Sequence, residues 1–489
     1  MNARGRINFA MVFRVLGWLL MIEAVFLIFP LITCLLYDET DWLAFAISVG
    51  VTALAGISTT FLIHPNRSEM GKREGFLLTA SVWVVFSLFG MLPFILSADR
   101  MSVSNAFFEA MSGFTTTGCS VLPSVEHLSH GILLWRCLMQ WIGGMGIILF
   151  TLAVLPMLNH SGGMQMFNAE VTGITHDKIR PRISQTAKGL WGVYFVLTAV
   201  LTLLLWVGPM DFFDSLCHSF SSISTGGFST RDMSVGAWQS PYVTAVVTLF
   251  MFLGGVNFAL LYNAGRGVFS GIWKNDVFRT YIYIIIGAYL LFVVAIVSRG
   301  QMHSLMDITL DPLFQIISTI TSTGLTVGNF ENWGTFVLSI LFILMFFGAC
   351  AGSTSGGAKI DRMLYLLKNT RNELYRSLHP AAILNVRVNG KVMSADVVSK
   401  VIAFLCLYVM VIAVGGIILT AFDIPLVDAF FSSFSCISNT GLGAGVTGYG
   451  ESYDIIPDIG KWVLSLLMLI GRLELFTVLL LFTQGFWRK

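Results

Sequence analysis

Charged residues are scarce in this chain of 489 residues: Asp, Glu, Lys and Arg make up 11% of it, against about 25% in soluble globular proteins. This scarcity excludes an ordinary soluble enzyme. Cysteine is also scarce, with seven residues and no CxxC pair, so neither a disulfide framework nor a zinc site is indicated. The sequence lacks GxxxxGK[ST], HExxH and GxSxG motifs, which argues against an enzyme and against a cofactor in this chain.

Hydrophobic residues make up 55% of the chain, and they come in runs of roughly 20, the length that crosses about 30 Å of hydrocarbon. The runs predict an all-α polytopic membrane protein with ten spans, at 15–37, 42–63, 76–97, 132–157, 189–208, 242–262, 277–298, 335–358, 397–422 and 461–483. Four shorter apolar stretches lie between spans, at 104–117, 211–225, 309–322 and 426–439. Each is too short to cross as a helix, so it is a surface helix or a re-entrant one.

The 29 Lys and Arg residues predict the orientation. With the N-terminus inside, 22 of them fall on the inner side, and the positive-inside rule then places both termini in the cytoplasm. The exceptions are five residues on the outer side and two at membrane depth: Arg100, Arg136, Arg231, Arg299 and Lys461, then Lys359 and Arg472.

The four short stretches are copies of one pattern. Each has Asp or Asn at its outer end, Ser seven residues later, Ser or Thr at ten, and Gly at thirteen. The glycines are Gly118, Gly227, Gly324 and Gly441, spaced by 109, 97 and 117 residues. Each copy lies between two spans on the same side, which predicts four parallel span–pore helix–span repeats after two extra N-terminal helices. The predicted boundaries are 1–70 for the N-terminal pair and 71–165, 166–270, 271–385 and 386–489 for the repeats.

This repeat has a physical interpretation. Asp or Asn at the outer end is expected to cap the short helix, whose carbonyl end then points to membrane depth. Beyond it, a Ser/Thr stretch with Gly allows extended or left-handed backbone. Four such turns around one axis would line a path with carbonyl and hydroxyl oxygens, which replace the hydration shell of a monovalent cation in potassium-channel filters.

Four linked units of this kind resemble the Trk/Ktr/HKT superfamily of potassium transporters over essentially the whole chain, and the two extra N-terminal spans are similar to the Trk branch. The resemblance implies potassium uptake across the bacterial inner membrane, with potassium as the transported ion. It places the filter at Thr115, Thr116, Thr117 and Gly118; Ser224, Thr225, Gly226 and Gly227; Thr321, Ser322, Thr323 and Gly324; and Ser438, Asn439, Thr440 and Gly441. Glycine at all four final positions favours potassium, because Ser at one of them is the family's sodium-permeable variation. Asn439 and Gly226 break the Ser/Thr pattern, so modest selectivity is expected.

Two features indicate a gate. The span 335–358 ends in a Gly/Ser/Thr-rich stretch that cannot form a robust helix, and by resemblance this stretch is an intramembrane loop blocking the path below the filter. Its residues are Gly352, Ser353, Thr354, Ser355, Gly356, Gly357 and Lys359, the last expected to extend to the membrane interface. The other feature is Arg472, whose charge costs about 2.5–3.5 kcal/mol at bilayer depth.

We expect Arg472 to point into the cavity under the filter, to bond the 352–357 backbone and to repel cations, with Glu474 paired elsewhere; a structural salt bridge is the alternative. Two glycine pairs, Gly143-Gly144 and Gly254-Gly255, are interpreted instead as close-packing surfaces in unbroken helices.

One functional alternative remains, a proton- or sodium-coupled symporter, whose inverted repeats would be antiparallel rather than parallel. The basic inner surface is expected to contact anionic lipid. The resemblance implies a homodimer and a cytosolic nucleotide-binding regulatory subunit of the TrkA type; no nucleic-acid partner is expected.

Overall fold

The computed structural model describes residues 7–64, 70–146, 183–300 and 305–488, and this part of the chain is predominantly helical. The α-helices are Phe9–Leu36, Trp42–Leu62, Lys72–Gly90, Leu92–Leu96, Val103–Phe114, His130–Gly144, Ile183–Val207, Phe212–Ser224, Pro241–Gly254, Phe258–Gly265, Ser270–Trp273, Asp276–Ser298, Leu305–Ile320, Thr335–Phe347, Ile360–Leu378, Ala395–Thr420, Leu426–Ser438, Asp458–Arg472, Phe476–Leu481 and Gln484–Trp487. Short 3-10 helices lie at Ser234–Trp238, Phe330–Trp333, Gly445–Thr447 and Tyr453–Ile455. One antiparallel hairpin pairs Arg387–Val388 with Lys391–Val392.

Six of the described helices are long and apolar enough to cross a membrane: Phe9–Leu36, Trp42–Leu62, Lys72–Leu96, Ala187–Val207, Asp276–Ser298 and Asp396–Thr420. They correspond to six of the predicted spans, and the prediction of a multi-pass all-α membrane protein is confirmed. The predicted span 132–157 is described only to residue 146, as the helix His130–Gly144 and the two residues after it, because 147–182 lies outside the described residues.

The prediction of a continuous span over 242–262 is wrong. Pro241–Gly254 and Phe258–Gly265 meet at an angle of 107°. Asn257 is the N-cap of the second helix: its side chain accepts hydrogen bonds from the amides of Ala259 and Leu260 in the first turn of that helix. The interpretation of Gly254-Gly255 as part of an unbroken helix is therefore also wrong. Close packing does occur there, since a Cβ atom at Gly255 would lie 2.6 Å from the Tyr281 hydroxyl.

The last span, predicted over 461–483, is also interrupted. Asp458–Arg472 ends before a left-handed turn at Glu474 and Leu475, with φ of 56° and 47°, and a new helix begins at Phe476. The amide of Leu475 donates to the Ile470 carbonyl at 3.0 Å, which closes the helix end as in a Schellman motif.

The two N-terminal helices form a closely packed pair beside the first repeat. A Cβ atom at Gly17 would lie 2.8 Å from the Gly56 carbonyl oxygen, and one at Gly56 would lie 2.9 Å from that of Gly17. Such small residues let membrane helices approach each other closely. Phe9–Leu36 also packs against Lys72–Gly90 and His130–Gly144, which attaches the pair to the first repeat.

Candidate ion pathway

Four short helices, here called pore helices 1 to 4, are the segments of the sequence repeat: Val103–Phe114, Phe212–Ser224, Leu305–Ile320 and Leu426–Ser438. The Asp or Asn of the repeat was expected to be the N-cap, and this is wrong in three helices. Their N-caps are Ser102, Asp211 and Pro425, and the repeat residue follows three positions later, inside the first turn. In pore helix 3 the repeat residue also lies inside the helix.

Two of these carboxylates bind the chain that follows the glycine turn of their own repeat. Asp214 accepts hydrogen bonds from Thr230 Oγ1 at 2.6 Å and from the Arg231 guanidinium at 3.1 Å. Asp428 accepts one from the amide of Val446 at 3.1 Å. The repeated acid therefore ties the start of the pore helix to the outgoing chain instead of capping the helix.

All four pore helices end in the same kind of hydrogen-bonded turn. We call these turns filter turns 1 to 4, after their predicted role; they are residues 115–118, 224–227, 321–324 and 438–441. An amide at the third position of each turn donates to the carbonyl of the repeated Ser, at 2.8–3.0 Å: Thr117 to Ser112, Gly226 to Ser221, Thr323 to Ser318 and Thr440 to Ser435. The residue before each amide has left-handed backbone: Thr116, Thr225, Ser322 and Asn439, with φ of 54°, 55°, 53° and 51°. This is the Schellman closure, in which glycine usually takes the left-handed position.

The four glycines bring the filter turns together in a ring. A Cβ atom at each would lie close to a carbonyl oxygen of the next turn: Gly118 at 2.3 Å from Gly226, Gly227 at 2.0 Å from Thr323, Gly324 at 2.1 Å from Thr440, and Gly441 at 2.3 Å from Thr117. The fourth contact returns to the first turn, so the ring is closed. All four glycines also have φ between 78° and 88°, a conformation that a larger residue adopts only with strain.

A cavity of about 170 Å³ opens at one side of this ring, and the four glycines contribute to its lining. Arg136 supports its wall from a buried position. The guanidinium bonds Glu109 at 2.8 Å, and it also donates to Ser120 Oγ and to the Ser229 carbonyl, both at 3.2 Å. It therefore joins the chain after filter turn 1 to the chain after filter turn 2.

Hydroxyl groups were expected to line the path together with carbonyls, and six of them make hydrogen bonds within their own turns. They pair with each other within filter turns 1, 3 and 4, at 2.7–2.8 Å: Thr115 with Thr117, Thr321 with Thr323, and Ser438 with Thr440. The first member of each pair also donates to a carbonyl of its pore helix. In filter turn 2 Gly226 has no side chain, and Gln140 occupies the space beside it.

Residues 348–359 contain the predicted gate residues and are called the gate loop after that prediction. They lie directly against the filter turns. The amide of Gly356 donates to Ser322 Oγ at 2.5 Å, and a Cβ atom at Gly356 would lie 2.1 Å from the Ser438 carbonyl oxygen. Thr354 Oγ1 donates to the Ile223 carbonyl at 3.1 Å. The gate loop therefore contacts the ends of pore helices 2, 3 and 4.

The bend between Pro241–Gly254 and Phe258–Gly265 holds the other side of the gate loop. The amide of Cys350 donates to the Gly255 carbonyl at 3.1 Å, and the amide of Phe258 donates to the Gly352 carbonyl at 3.0 Å. Asn257 Nδ2 adds a bond to the Ala351 carbonyl at 2.7 Å. The bend in the second repeat and the loop in the third are thus one hydrogen-bonded unit.

Arg472 joins the gate loop to the first repeat. Its Nη1 donates to the Thr354 carbonyl at 3.0 Å, its Nη2 donates to the Gly143 carbonyl at 2.7 Å, and the guanidinium lies over the Trp83 ring at 5.6 Å. Glu474 pairs with Arg362 rather than sharing this contact.

Lys359 was expected to extend to the membrane interface, and this is wrong. The residue is 2% exposed, and its Nζ donates to the carbonyl and the hydroxyl of Ser355 in the gate loop. The oxygens of Ser355 are the hydrogen-bond partners of the buried Nζ, and the charges around it are of both signs: negative at Glu474 and Asp361, positive at Arg472 and Arg362.

The comparison with known proteins agrees with this architecture. A family model described as TrkH, cation transport protein, matches residues 43–270 and 277–489. The chain belongs to the TrkH family. The Trk system potassium uptake protein TrkH of Salmonella typhimurium is 37% identical over 493 residues, which cover 99% of this chain and 100% of that protein. Its counterpart in Vibrio parahaemolyticus is 36% identical over 489 residues, again 99% and 100% of the two chains.

The TrkH fold is also shared in three dimensions. The crystal structure of the potassium transporter TrkH from Vibrio parahaemolyticus matches with a TM-score of 0.90 at 34% identity, over 99% of this chain and 100% of that one. The TrkH fold therefore extends over essentially the whole chain.

Two residues that contact the filter turns or the gate loop were not predicted from the sequence, Gln140 and Asn257. A signal for the first was present, because Gln140 lies four residues after Arg136, on the same face of an otherwise apolar helix. Polar groups in membrane helices are costly and usually face the protein interior. A signal for the second was an Asn directly after Gly-Gly-Val, a common helix N-cap.

Proposed function

We propose that this protein takes up potassium through a channel-like pore along the axis of the filter ring. One observation carries the proposal: each filter glycine abuts a carbonyl oxygen of the next repeat, and the four contacts close a ring. The relatives named above are potassium uptake proteins, which supports potassium as the ion.

Backbone carbonyls are the ligands we propose. The paired hydroxyls of filter turns 1, 3 and 4 bond each other within their turns, whereas each filter glycine lies against a carbonyl oxygen of the next turn. Carbonyl oxygens that replace the hydration shell are a known way to pass a monovalent cation. The ion sites would be formed by the turns that end in Gly118, Gly227, Gly324 and Gly441.

The gate loop is proposed to close this pore. Its Gly356 amide lies against filter turn 3, where a passing ion would leave the ring. The guanidinium of Arg472 adds positive charge beside the loop, which opposes a cation in a region of low dielectric constant. Opening then requires the loop to leave the filter turns and Arg472 to release Thr354.

The setting that we propose is the bacterial inner membrane, with both termini in the cytoplasm and two copies forming a homodimer. A cytosolic nucleotide-binding subunit of the TrkA type would control the gate, and the relatives' names refer to a Trk system. The helix Ile360–Leu378 directly follows the gate loop and carries Lys368, Arg371 and Arg376, so it is a suitable place for that partner to act. Flux measured with and without the partner tests this.

A proton- or sodium-coupled symporter is less compatible with four parallel repeats. Recording from the purified protein in a bilayer separates the two, because unitary currents indicate a pore and strict coupling of potassium flux to a second ion indicates a carrier.

The filter is tested by potassium and sodium uptake in a strain that lacks other potassium importers. Each of the four glycines is changed to Ser in turn, with Gly287→Ser as the control, because no atom lies within 4 Å of a Cβ atom built there. Loss of potassium preference in the filter variants but not in the control supports the proposal. Unaltered preference in all four folded variants refutes it.

A further inference from the structure

Filter turn 2 lacks a support that the other three turns have. In turns 1, 3 and 4 a hydroxyl at the first position bonds a hydroxyl at the third, at 2.7–2.8 Å. In turn 2 the third position is Gly226, so Ser224 has no such partner within its own turn. Gly226 and Gly227 are also consecutive glycines, which gives this turn the greatest backbone freedom of the four.

Gln140, on the helix His130–Gly144 of the first repeat, supports this turn by a different contact, to its backbone. Its Nε2 donates to the Gly226 carbonyl at 2.7 Å, and its Oε1 accepts from the amide of Phe228 at 3.1 Å. These two atoms belong to the peptide groups before and after Gly227. One fully buried side chain therefore fixes both peptide planes around a filter glycine.

The space at Gly226 is filled by the same side chain. A Cβ atom at Gly226 would lie 2.4 Å from Gln140 Cδ and 2.5 Å from its Oε1. A hydroxyl residue at position 226 and the glutamine at position 140 therefore exclude each other. The chain has one of two alternative supports for this turn.

The equivalent positions in the other repeats are apolar. Gln140 lies four residues before the end of its helix, and the residues at that distance in the other three repeats are Phe250, Ile343 and Met468. A buried amide at an apolar position is costly unless its hydrogen bonds are satisfied. Both polar atoms of the Gln140 amide have a hydrogen-bond partner, one in filter turn 2 and one directly after it.

We propose that Gln140 is a positioning residue for ion selectivity. It replaces the absent hydroxyl of filter turn 2 and holds the Gly226 carbonyl and the Phe228 amide in the orientation that completes the ring. This inference rests on the proposed function of the ring as a potassium filter. Gln140 itself does not touch the ion.

The test is the permeability ratio of potassium to sodium, measured by flux into liposomes that contain the purified full-length protein. Gln140→Leu removes both hydrogen bonds, and we expect the ratio to fall roughly tenfold, the effect of a buried hydrogen-bonding group left without its partner. Thr79→Val is the control: Thr79 is 2% exposed, and its hydroxyl donates to the Gly75 carbonyl within the helix Lys72–Gly90, away from the filter turns, so the ratio should not change. A Gln140→Leu protein that folds and keeps the original ratio overturns the proposal.

A compensating pair keeps the test valid even where Gln140→Leu does not fold. Gly226→Ser alone is expected to lose potassium preference, because its Cβ atom overlaps Gln140. The double variant Gln140→Ala, Gly226→Ser provides both the space and the hydroxyl, so it is expected to recover the ratio to within a few-fold of the original. Losses that simply add in the double variant contradict the proposal. If the four filter-glycine variants change selectivity and these variants do not, only the role of Gln140 fails; if none changes it, the filter assignment fails.

Discussion

The amide of Gly356 in the gate loop donates a 2.5 Å hydrogen bond to the hydroxyl of Ser322 in filter turn 3. Ser322 is one of the four left-handed residues that close the pore helices. The gate loop and the filter are thus in direct contact, and a change in one alters the polar surroundings of the other.

Removing this contact should favour the open pore. Ser322→Ala deletes the acceptor and leaves the Gly356 amide unpaired in the closed state, so we expect the open probability in single-channel records to rise roughly two- to tenfold. Ser339→Ala is the control, because its hydroxyl only bonds the Thr335 carbonyl within an exposed helical turn. An open probability that stays unchanged or falls in a folded Ser322→Ala protein would show that the contact does not hold the gate closed.

Arg472 should hold the gate loop by charge and by geometry. Arg472→Gln removes the charge and cannot bridge the carbonyls of Thr354 and Gly143, so potassium flux should rise. Arg472→Lys keeps the charge but loses the planar two-sided donor, and it should leak less than the glutamine variant. Flux into liposomes measures both. Equal or lower flux in a folded Arg472→Gln protein rules out a role in gating.

The pair of Arg362 and Glu474 should stabilise the region where the helix after the gate loop meets the break between Asp458–Arg472 and Phe476–Leu481. The side chain of Arg362 is 7% exposed and that of Glu474 is 26% exposed. Arg362→Met or Glu474→Gln leaves a largely buried charge without its partner, so each should lower the free energy of unfolding by about 3 kcal/mol. The double variant should lose less than the sum.

Thermal unfolding in detergent micelles measures these losses. Lys400 and Asp396 supply the control pair, since both side chains are at least 70% exposed and their removal should cost at most about 1 kcal/mol. Strictly additive losses for Arg362 and Glu474 would mean that the ion pair contributes nothing of its own.

Close packing at Gly143 should be essential for assembly of the first repeat. A Cβ atom there would lie 1.8 Å from the backbone oxygen of Phe114, the last residue of pore helix 1. Gly143→Ala must therefore displace the pore helix, and we expect a loss of stability of at least 1–3 kcal/mol. Gly287→Ala, with no atom within 4 Å of its Cβ, should be neutral or slightly stabilising. The yield of monodisperse protein and its melting temperature compare the two.

The four filter turns could be predicted from the sequence because each turn depends on a local pattern. Every repeat has Ser seven residues and Gly thirteen residues after its Asp or Asn. These residues form the turn and its closing hydrogen bond within a few positions of one another. The beginnings of the pore helices were less well predicted. Asn105, Asp214 and Asp428 resemble N-caps in composition, but their partners are distant residues or the chain after the filter.

What the sequence could not predict depends on contacts between repeats. Gln140 and Gly226 are 86 residues apart, and Asn257 and Ala351 are 94 apart, so neither pairing is visible in local composition. Lys359 was assigned to the membrane interface because hydropathy does not reveal whether a polar group has a protein partner. Its actual partner, Ser355, lies four residues away in a loop whose path the sequence does not specify.

The interruptions at 255–257, 348–359 and 473–475 have a mechanical consequence. A continuous helix is stiff along its axis because each turn is hydrogen-bonded to the next, and a break removes this stiffness locally. On the proposed function, we expect the segments beyond these breaks to tilt with little strain on the oxygen ring. In the proposed mechanism, movement of those segments acts on the gate loop through the hydrogen bonds of Asn257 and Arg472, so we expect a small lateral displacement to open the pore.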